Sequence, residues 1–216
     1  MVPFFHAHPR SKPGDGPVSR HINRWLAAPV TWLVLRTNLT PNQVSIGTGS
    51  LAVPMVIAGL LGHIVAAAVL LQAATILDEV DGEIARAKNQ QSQFGALLDT
   101  VLDYSLDAVG LVAIGLAILS RSEVSATVVV AVVGGSVGVR LIDQYVVKTV
   151  PDPSPHLLRD TRDTVNLAIL IAALLTWPLG SWIMIGTLAF INLWRIDNTL
   201  YRLGRFRNLE RSRQQP

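Results

Sequence analysis

The sequence predicts an all-α integral membrane protein of about six transmembrane helices, with an amphipathic interfacial helix before them. Three observations carry this. Half of the 216 residues are hydrophobic and only 15% are charged, against about 25% charged in an average soluble domain. The shortfall comes from long uncharged runs, and mean hydropathy is +0.41. Lysine and arginine gather in alternate connections between those runs, and the charges that enter them keep to one half. A net charge of +3 carried in such short segments suits loops at an anionic membrane face, not a nucleic-acid patch. There is no cysteine, so neither a disulfide framework nor a thiolate metal site is available. The start, MVPFFHAHPR, lacks the pattern of a signal peptide.

Residues 1–17 hold Pro3, Pro9, Pro13 and Pro17 with Gly14 and Gly16, which predicts a flexible arm. Over 18–37, Ile22, Trp25, Leu26, Pro29, Val30 and Leu33 recur at helical spacing, opposite Arg20, Asn23, Arg24, Ala27 and Thr31. That stretch suits a helix lying in the membrane interface, bent at Pro29. Thr40, Pro41 and Gln43 form a helix start with a capping box. Spans are expected at 43–62, 64–86, 94–119, 124–147, 165–178 and 182–203. PDPSP at 151–155 breaks the helix between the fourth and fifth. Residues 38–204 thus form a six-helix domain, and 205–216 a basic tail. In the fourth span Gly134 and Gly138 make a GxxxG pair, suited either to packing inside the bundle or to a dimer contact.

Charge placement orients the chain. The N-terminal region, the connections after the second and fourth spans and the tail are basic, whereas Arg121 is the sole lysine or arginine of the opposite face. The positive-inside rule puts the termini and the aspartate-rich stretch from Asp78 to Asp103 at the cytoplasm. Asp78, Asp81, Asp99, Asp103, Asp107, Arg140, Asp143, Arg195 and Asp197 all fall in the cytoplasmic halves of their spans. Intramembrane charges pair or line wet cavities, so together they outline one polar cavity open to the cytoplasm.

The stretch from Asp78 to Asp103, DEVDGEIARAKNQQSQFGALLDTVLD, carries the chemistry. Asp78 and Asp81 share a helix face, as do Asp99 and Asp103, the latter pair about 6 Å apart along the axis. The 17 residues between Asp81 and Asp99 are enough to fold back and bring the pairs together. Four carboxylates so close call for a divalent cation, and an all-oxygen set favours a hard one over zinc. Two such ions suit phosphoryl chemistry at a diphosphate. Gly82 and Gly95 permit close approach to backbone, and Arg86 suits a phosphate. No Walker loop, dinucleotide fingerprint or HExxH motif is present.

Asp78-x-x-Asp81-Gly82-x-x-Ala85-Arg86, eight residues, then Gly95-x-x-x-Asp99-x-x-x-Asp103 resembles the signature of the CDP-alcohol phosphotransferase (CDP-alcohol phosphatidyltransferase class-I) family at every fixed position. The resemblance implies transfer of a substituted phosphate from a CDP-linked alcohol to an acceptor hydroxyl, with release of CMP. It implies a site holding two Mg²⁺ or Mn²⁺ ions on Asp78, Asp81, Asp99 and Asp103, with Asp103 also the general base. Asp78, Asp81, Gly82, Ala85, Arg86 and Gly95 would bind the nucleotide of the donor, and the chain would be a homodimer. GPVSRHINRW, RTNLTPNQVS and DEVDGEIAR are similar to the branch handling inositol phosphates, including enzymes that use CDP-inositol.

Basic residues on the cytoplasmic side point to a phosphorylated polyol acceptor, an inositol or glycerol phosphate, with Arg140, Arg162 and Arg195 as its candidate ligands. The alternative is a cation or proton transporter using the intramembrane aspartates, which requires carboxylates near the midplane and access from both sides. Asp107 continues the i, i+4 series beyond the signature and is expected to bond Arg140 or Arg195. Glu79 is expected to point away from the metal-facing positions, toward solvent or a basic partner.

Overall fold

The structure, a computed structural model, describes residues 17–121, 123–150 and 161–213. The expected arm (apart from Pro17) and the PDPSP loop lie outside those residues. A wide π-helical turn, Ser19–Asn23, leads into α1 (Arg24–Val34). Then follow α2 (Pro41–Gly49), α3 (Ala52–Leu60), α4 (Ile64–Ala87), α5 (Gln93–Arg121), α6 (Ala126–Thr149), α7 (Thr161–Leu179) and α8 (Trp182–Arg213). No strand occurs among the described residues.

Sequence signals account for the element ends. At α2 both halves of the capping box form: Thr40 Oγ accepts from the Gln43 amide at 3.3 Å, and the Thr40 amide donates to Gln43 Oε1 at 2.9 Å. The segment expected as one span over 43–62 is one apolar run, Pro41–Leu60, with a tight turn at Ser50 and Leu51 that divides it into α2 and α3 while the backbone stays in the α region. Pro54 has no amide with which to bond the Ser50 carbonyl. The Val53 amide takes that carbonyl instead, at 3.2 Å. Gly62 and Gly180 turn the chain into α4 and α8 at φ of 74° and 79°, where a side chain would be strained. The tail expected from 205 continues α8 as far as Arg213.

The helices α3 to α8 enclose a core in which Met55, Ile64, Leu71, Ile114, Ile118, Ile169, Met184 and Leu188 are fully buried. Outside it the polarity is inverted relative to a water-soluble fold. Asp107, Arg140, Asp143 and Arg195 are buried, whereas Val53, Ile57, Leu60, Val130, Phe190 and Leu193 are exposed. Pro41–Leu60, Gln93–Arg121 and Ala126–Val147 are long and apolar enough to cross a membrane. The helices α4, α7 and α8 coincide with the other expected spans but do not meet that measure over their described residues.

Helix α1 has the same inversion. Asn23, Arg24, Ala27 and Thr31 are buried, while Trp25, Leu26 and Leu33 face outward. Arg24, fully buried, pairs with Glu79 at 3.3 Å and Glu83 at 3.2 Å on α4, and the Thr31 hydroxyl donates to Glu83 at 2.8 Å. The polar face of α1 is therefore the inward one. On α6, a Cβ added at Gly134 or Gly138 would meet nothing within 4 Å. The GxxxG pair does not serve packing inside the bundle.

At the opposite end from the aspartates, Glu123 between α5 and α6 accepts the Ser181 amide hydrogen at 2.6 Å, tying that turn to the start of α8. The hydrogen bond from the Ser181 amide holds the Glu123 carboxyl below its usual value of 4.5. A carboxyl lowered in the folded state stabilises the fold above its unfolded pKa and loses that contribution as the pH falls through the folded one. Glu123→Gln is therefore expected to lower the thermal midpoint at neutral pH. Below about pH 4.5 the gap to wild type should close, as a pair of melting series in detergent would read.

Candidate active site

The site is built where α4 ends and α5 begins. Asp78, Asp81, Gly82, Ala85 and Arg86 recur at the three- and four-residue spacing that keeps them on one side of α4. The chain leaves that helix after Ala87, passes through Asn89 at φ 54° and re-enters a helix at Gln93. Asparagine tolerates that left-handed conformation better than most residues. Lys88 Nζ ties the bend to the loop before α2, donating to the Thr37 carbonyl at 3.0 Å and the Leu39 carbonyl at 2.7 Å. Ser92 Oγ accepts the Gly95 amide hydrogen at 3.0 Å as α5 begins. The return brings Asp99 and Asp103 back beside Asp78.

Carboxylate oxygens of Asp78, Asp99 and Asp103 lie within 4.8 Å of one another. This all-oxygen, all-anionic donor set fits a hard divalent cation such as Mg²⁺ or Mn²⁺. Asp81 is not in that triad; its carboxylate accepts a short hydrogen bond from the Ser45 hydroxyl of α2. A cavity of about 420 Å³ opens beside the triad, lined by Asp78, Asp81, Gly82, Ala85, Arg86, Gly95 and Asp99. Every residue expected at the donor site is therefore in one wall. Arg86 forms no ion pair among the described residues, so its guanidinium is available to an anion in the cavity. At Gly95 a Cβ would stand 3.1 Å from both Asn42 Oδ1 and Ser92 Oγ, two polar atoms of the cavity rim.

The three arginines expected at the acceptor separate. Arg162, in the first turn of α7, places Nη1 2.9 Å from both Asp78 Oδ2 and Asp103 Oδ1. Its Nε reaches Asp107 Oδ2 at 3.2 Å. Arg140 is buried against the same Asp107 oxygen at 2.7 Å and donates to Asn166 Oδ1 at 2.8 Å. Asn166 in turn donates to the Thr75 hydroxyl of α4 at 2.7 Å. Arg195 is buried and pairs with Asp143 at 3.1 Å. Arg140 and Arg195 line a void of about 10 Å³, too small for a sugar phosphate. Arg162 alone of the three reaches the signature aspartates directly.

Asn42, Ser45, Gln90 and Gln91 line the cavity without having been expected there. A partial signal existed, because Asn42 and Ser45 are three apart on a helix whose start was recognised. Glu79 also lines the cavity, yet its carboxylate is held from the other side by Ser19 at 2.7 Å and Arg24. The basic partner expected for it is thus a residue of α1.

Residues 38–193 match the family model described as CDP-alcohol phosphatidyltransferase. The chain belongs to this family. Over 114 residues it is 41% identical to the bifunctional IPC transferase and DIPP synthase of Rubrobacter xylanophilus, covering 52% of this chain and 25% of that one. Over 83 residues it is 32% identical to the phosphatidylinositol phosphate synthase of Corynebacterium glutamicum, covering 38% of each. The chain thus spans about a quarter of the length of the first relative. Its fold is similar to the crystal structure of Mycobacterium tuberculosis phosphatidylinositol phosphate synthase with CDP-DAG bound. There the TM-score is 0.62 at 18% identity, over 84% of this chain and 94% of that one. Membership of the CDP-alcohol phosphatidyltransferase family decides against the transporter reading.

Proposed function

We propose that this member of the family transfers a substituted phosphate from a CDP-linked alcohol to a hydroxyl of a phosphorylated polyol, releasing CMP. One observation carries the reading: the signature residues of α4 and α5 line a single cavity of about 420 Å³, with Asp103 one turn beyond Asp99. That volume falls within the range of small-molecule sites. Gly82 and Ala85 let the donor lie against α4, and the free guanidinium of Arg86 meets its diphosphate.

The acceptor hydroxyl attacks the phosphorus that bears the donor alcohol. A new P–O bond forms as the bond to CMP breaks, the electron pair leaves on the CMP phosphate, and the hydroxyl proton passes to Asp103. Asp78, Asp81, Asp99 and Asp103 would hold two divalent ions, Mg²⁺ or Mn²⁺, a reading supported by the Asp78, Asp99 and Asp103 cluster, and Ser45 would orient Asp81 for that task. When bound, the ions neutralise the diphosphate and the leaving CMP. Arg162 receives the acceptor phosphate, while Arg140 and Arg195 position Asp107 and Asp143 behind it.

Residues 38–204 form the catalytic bundle and cross the cytoplasmic membrane six times, with the termini and cavity at the cytoplasm. Helix α1 lies in the interface with Trp25, Leu26 and Leu33 toward lipid, an arrangement supported by their exposure. The chain acts as a homodimer, a reading supported by the open Gly134 and Gly138 strip on α6.

Similarity to the phosphatidylinositol phosphate synthase of Corynebacterium glutamicum supports an inositol phosphate as acceptor. The test is a product screen of purified protein with Mg²⁺ or Mn²⁺. Donors are CDP-diacylglycerol and CDP-inositol, each offered inositol, inositol phosphate and glycerol phosphate. CMP release is expected with a phosphorylated acceptor and not with free inositol. No CMP from any pair would end the proposal.

A further inference from the structure

We infer that Arg162 and a divalent cation are alternative occupants of the Asp78–Asp103 pair, so that metal binding releases the arginine for the acceptor. This rests on the metal-dependent transfer proposed above. The Arg162 side chain is 17% exposed, and its Nη1 sits 2.9 Å from Asp78 Oδ2 and 2.9 Å from Asp103 Oδ1. Both carboxylates belong to the triad that fits a hard cation. The guanidinium N–H groups occupy lone pairs that a metal needs, and two positive centres on one oxygen pair repel each other. A divalent ion coordinates oxygen directly and at shorter range than a hydrogen bond, so it prevails when present.

The other end of the guanidinium is anchored separately. Nε donates to Asp107 Oδ2 at 3.2 Å, and Asp107 is itself fixed by Arg140 at 2.7 Å and by Gln144 at 3.0 Å. Loss of the Nη1 contacts therefore swings one edge of the group about a held point. The freed edge remains beside the carboxylates, with paired donors suited to a phosphate. Before metal arrives, Arg162 compensates the acidic cluster, with Nη1 and Nε both committed to carboxylates and no complete pair of donors left for a phosphate. The device orders binding: metal first, phosphorylated acceptor second.

The experiment uses the full chain in detergent with Mn²⁺ alone. Phenylglyoxal modification of each arginine is followed by mass spectrometry, and Mn²⁺ affinity by electron paramagnetic resonance of the free ion. In the wild type, saturating Mn²⁺ should accelerate modification of Arg162 and leave Arg140, pinned by Asp107 and Asn166, unchanged. Arg162→Gln should bind Mn²⁺ about tenfold more tightly, because competition is reciprocal. An Arg162 rate that Mn²⁺ leaves unchanged or slows would overturn the inference, as would no gain in affinity for a folded Arg162→Gln. If that variant does not fold, the wild-type labelling decides by itself. CMP release with no labelling response removes only this inference; a labelling response with no CMP release removes only the proposed transfer. Absence of Mn²⁺ binding to the wild type removes this inference and the metal-dependent reading together.

Discussion

Asp103→Asn is expected to lower CMP release by about a thousandfold while leaving donor affinity close to that of the wild type. Asparagine keeps the shape of the side chain but accepts no proton and carries no charge. The prediction divides the aspartates by position. Asp78, Asp81 and Asp99 line the cavity wall beside Gly82, Ala85 and Arg86, so their loss should weaken donor binding. Asp103 is not in that wall; it lies one turn further along α5, with its Oδ1 on Arg162. Because Asp103 also belongs to the carboxylate triad, turnover must be compared at saturating Mn²⁺, where a weakened metal site is refilled. A deficit that persists there belongs to proton transfer. Asp81→Asn is the contrast: it removes an anionic ligand and the acceptor of the Ser45 hydroxyl, and should raise both the metal and the donor requirement. Equilibrium binding of CDP-diacylglycerol without acceptor, set beside CMP release with it, gives both quantities. If Asp103→Asn turned over within tenfold of wild type at saturating Mn²⁺, below the span of general-base effects, Asp103 would not be the base.

What the sequence made legible follows from helical periodicity. The signature spacing put Asp78 with Asp81 and Asp99 with Asp103 on shared faces, and the cavity lies along those faces. The capping box at Thr40 was equally local and forms as expected. Pro54 also announces its effect locally, yet hydropathy smooths over it, which is why the first span reads as uniform while its helix tightens into a turn at Ser50 and Leu51. Partner choice is the harder part. Periodicity separates the two faces of α1 but does not say that Arg24 turns inward onto Glu79 and Glu83, more than fifty residues away. The same holds for the arginines: charge topology placed Arg140, Arg162 and Arg195 at one end. Their division into one that touches the signature and two buried behind it depends on how α6, α7 and α8 meet.

The largest stability effect is expected at a residue outside both the signature and the cavity. Gly59, near the end of α3, faces the backbone of α5 so closely that an added Cβ would stand 2.4 Å from the Ala113 carbonyl oxygen and 2.8 Å from its Cα. These are backbone atoms of a long helix, and no side-chain rotation relieves the clash. Contrast Gly110, where the added atom would meet the tip of the Leu71 side chain, which can rotate. Gly59→Ala must therefore push α3 from α5, at the cost of packing around Met55, Ala58 and Ala113, all buried. Overpacking of this kind costs about 3 kcal/mol, or about 6–12 °C in thermal midpoint for a chain of this size. Gly134→Ala is the matched control, since its Cβ meets open space and alanine favours the helix; the monomer should melt no lower than wild type. Asn42 and Ser45 enter from α2, on the other side of the Ser50 turn from Gly59, and Asp99 and Asp103 lie in the first half of α5 while Ala113 lies in the second. Turnover per folded molecule should thus survive in Gly59→Ala at a temperature below its own midpoint. A midpoint equal to wild type would mean that α3 and α5 do not approach as closely as the backbone indicates. A loss of turnover without a loss of stability would mean that the crossing governs the site and not the bundle.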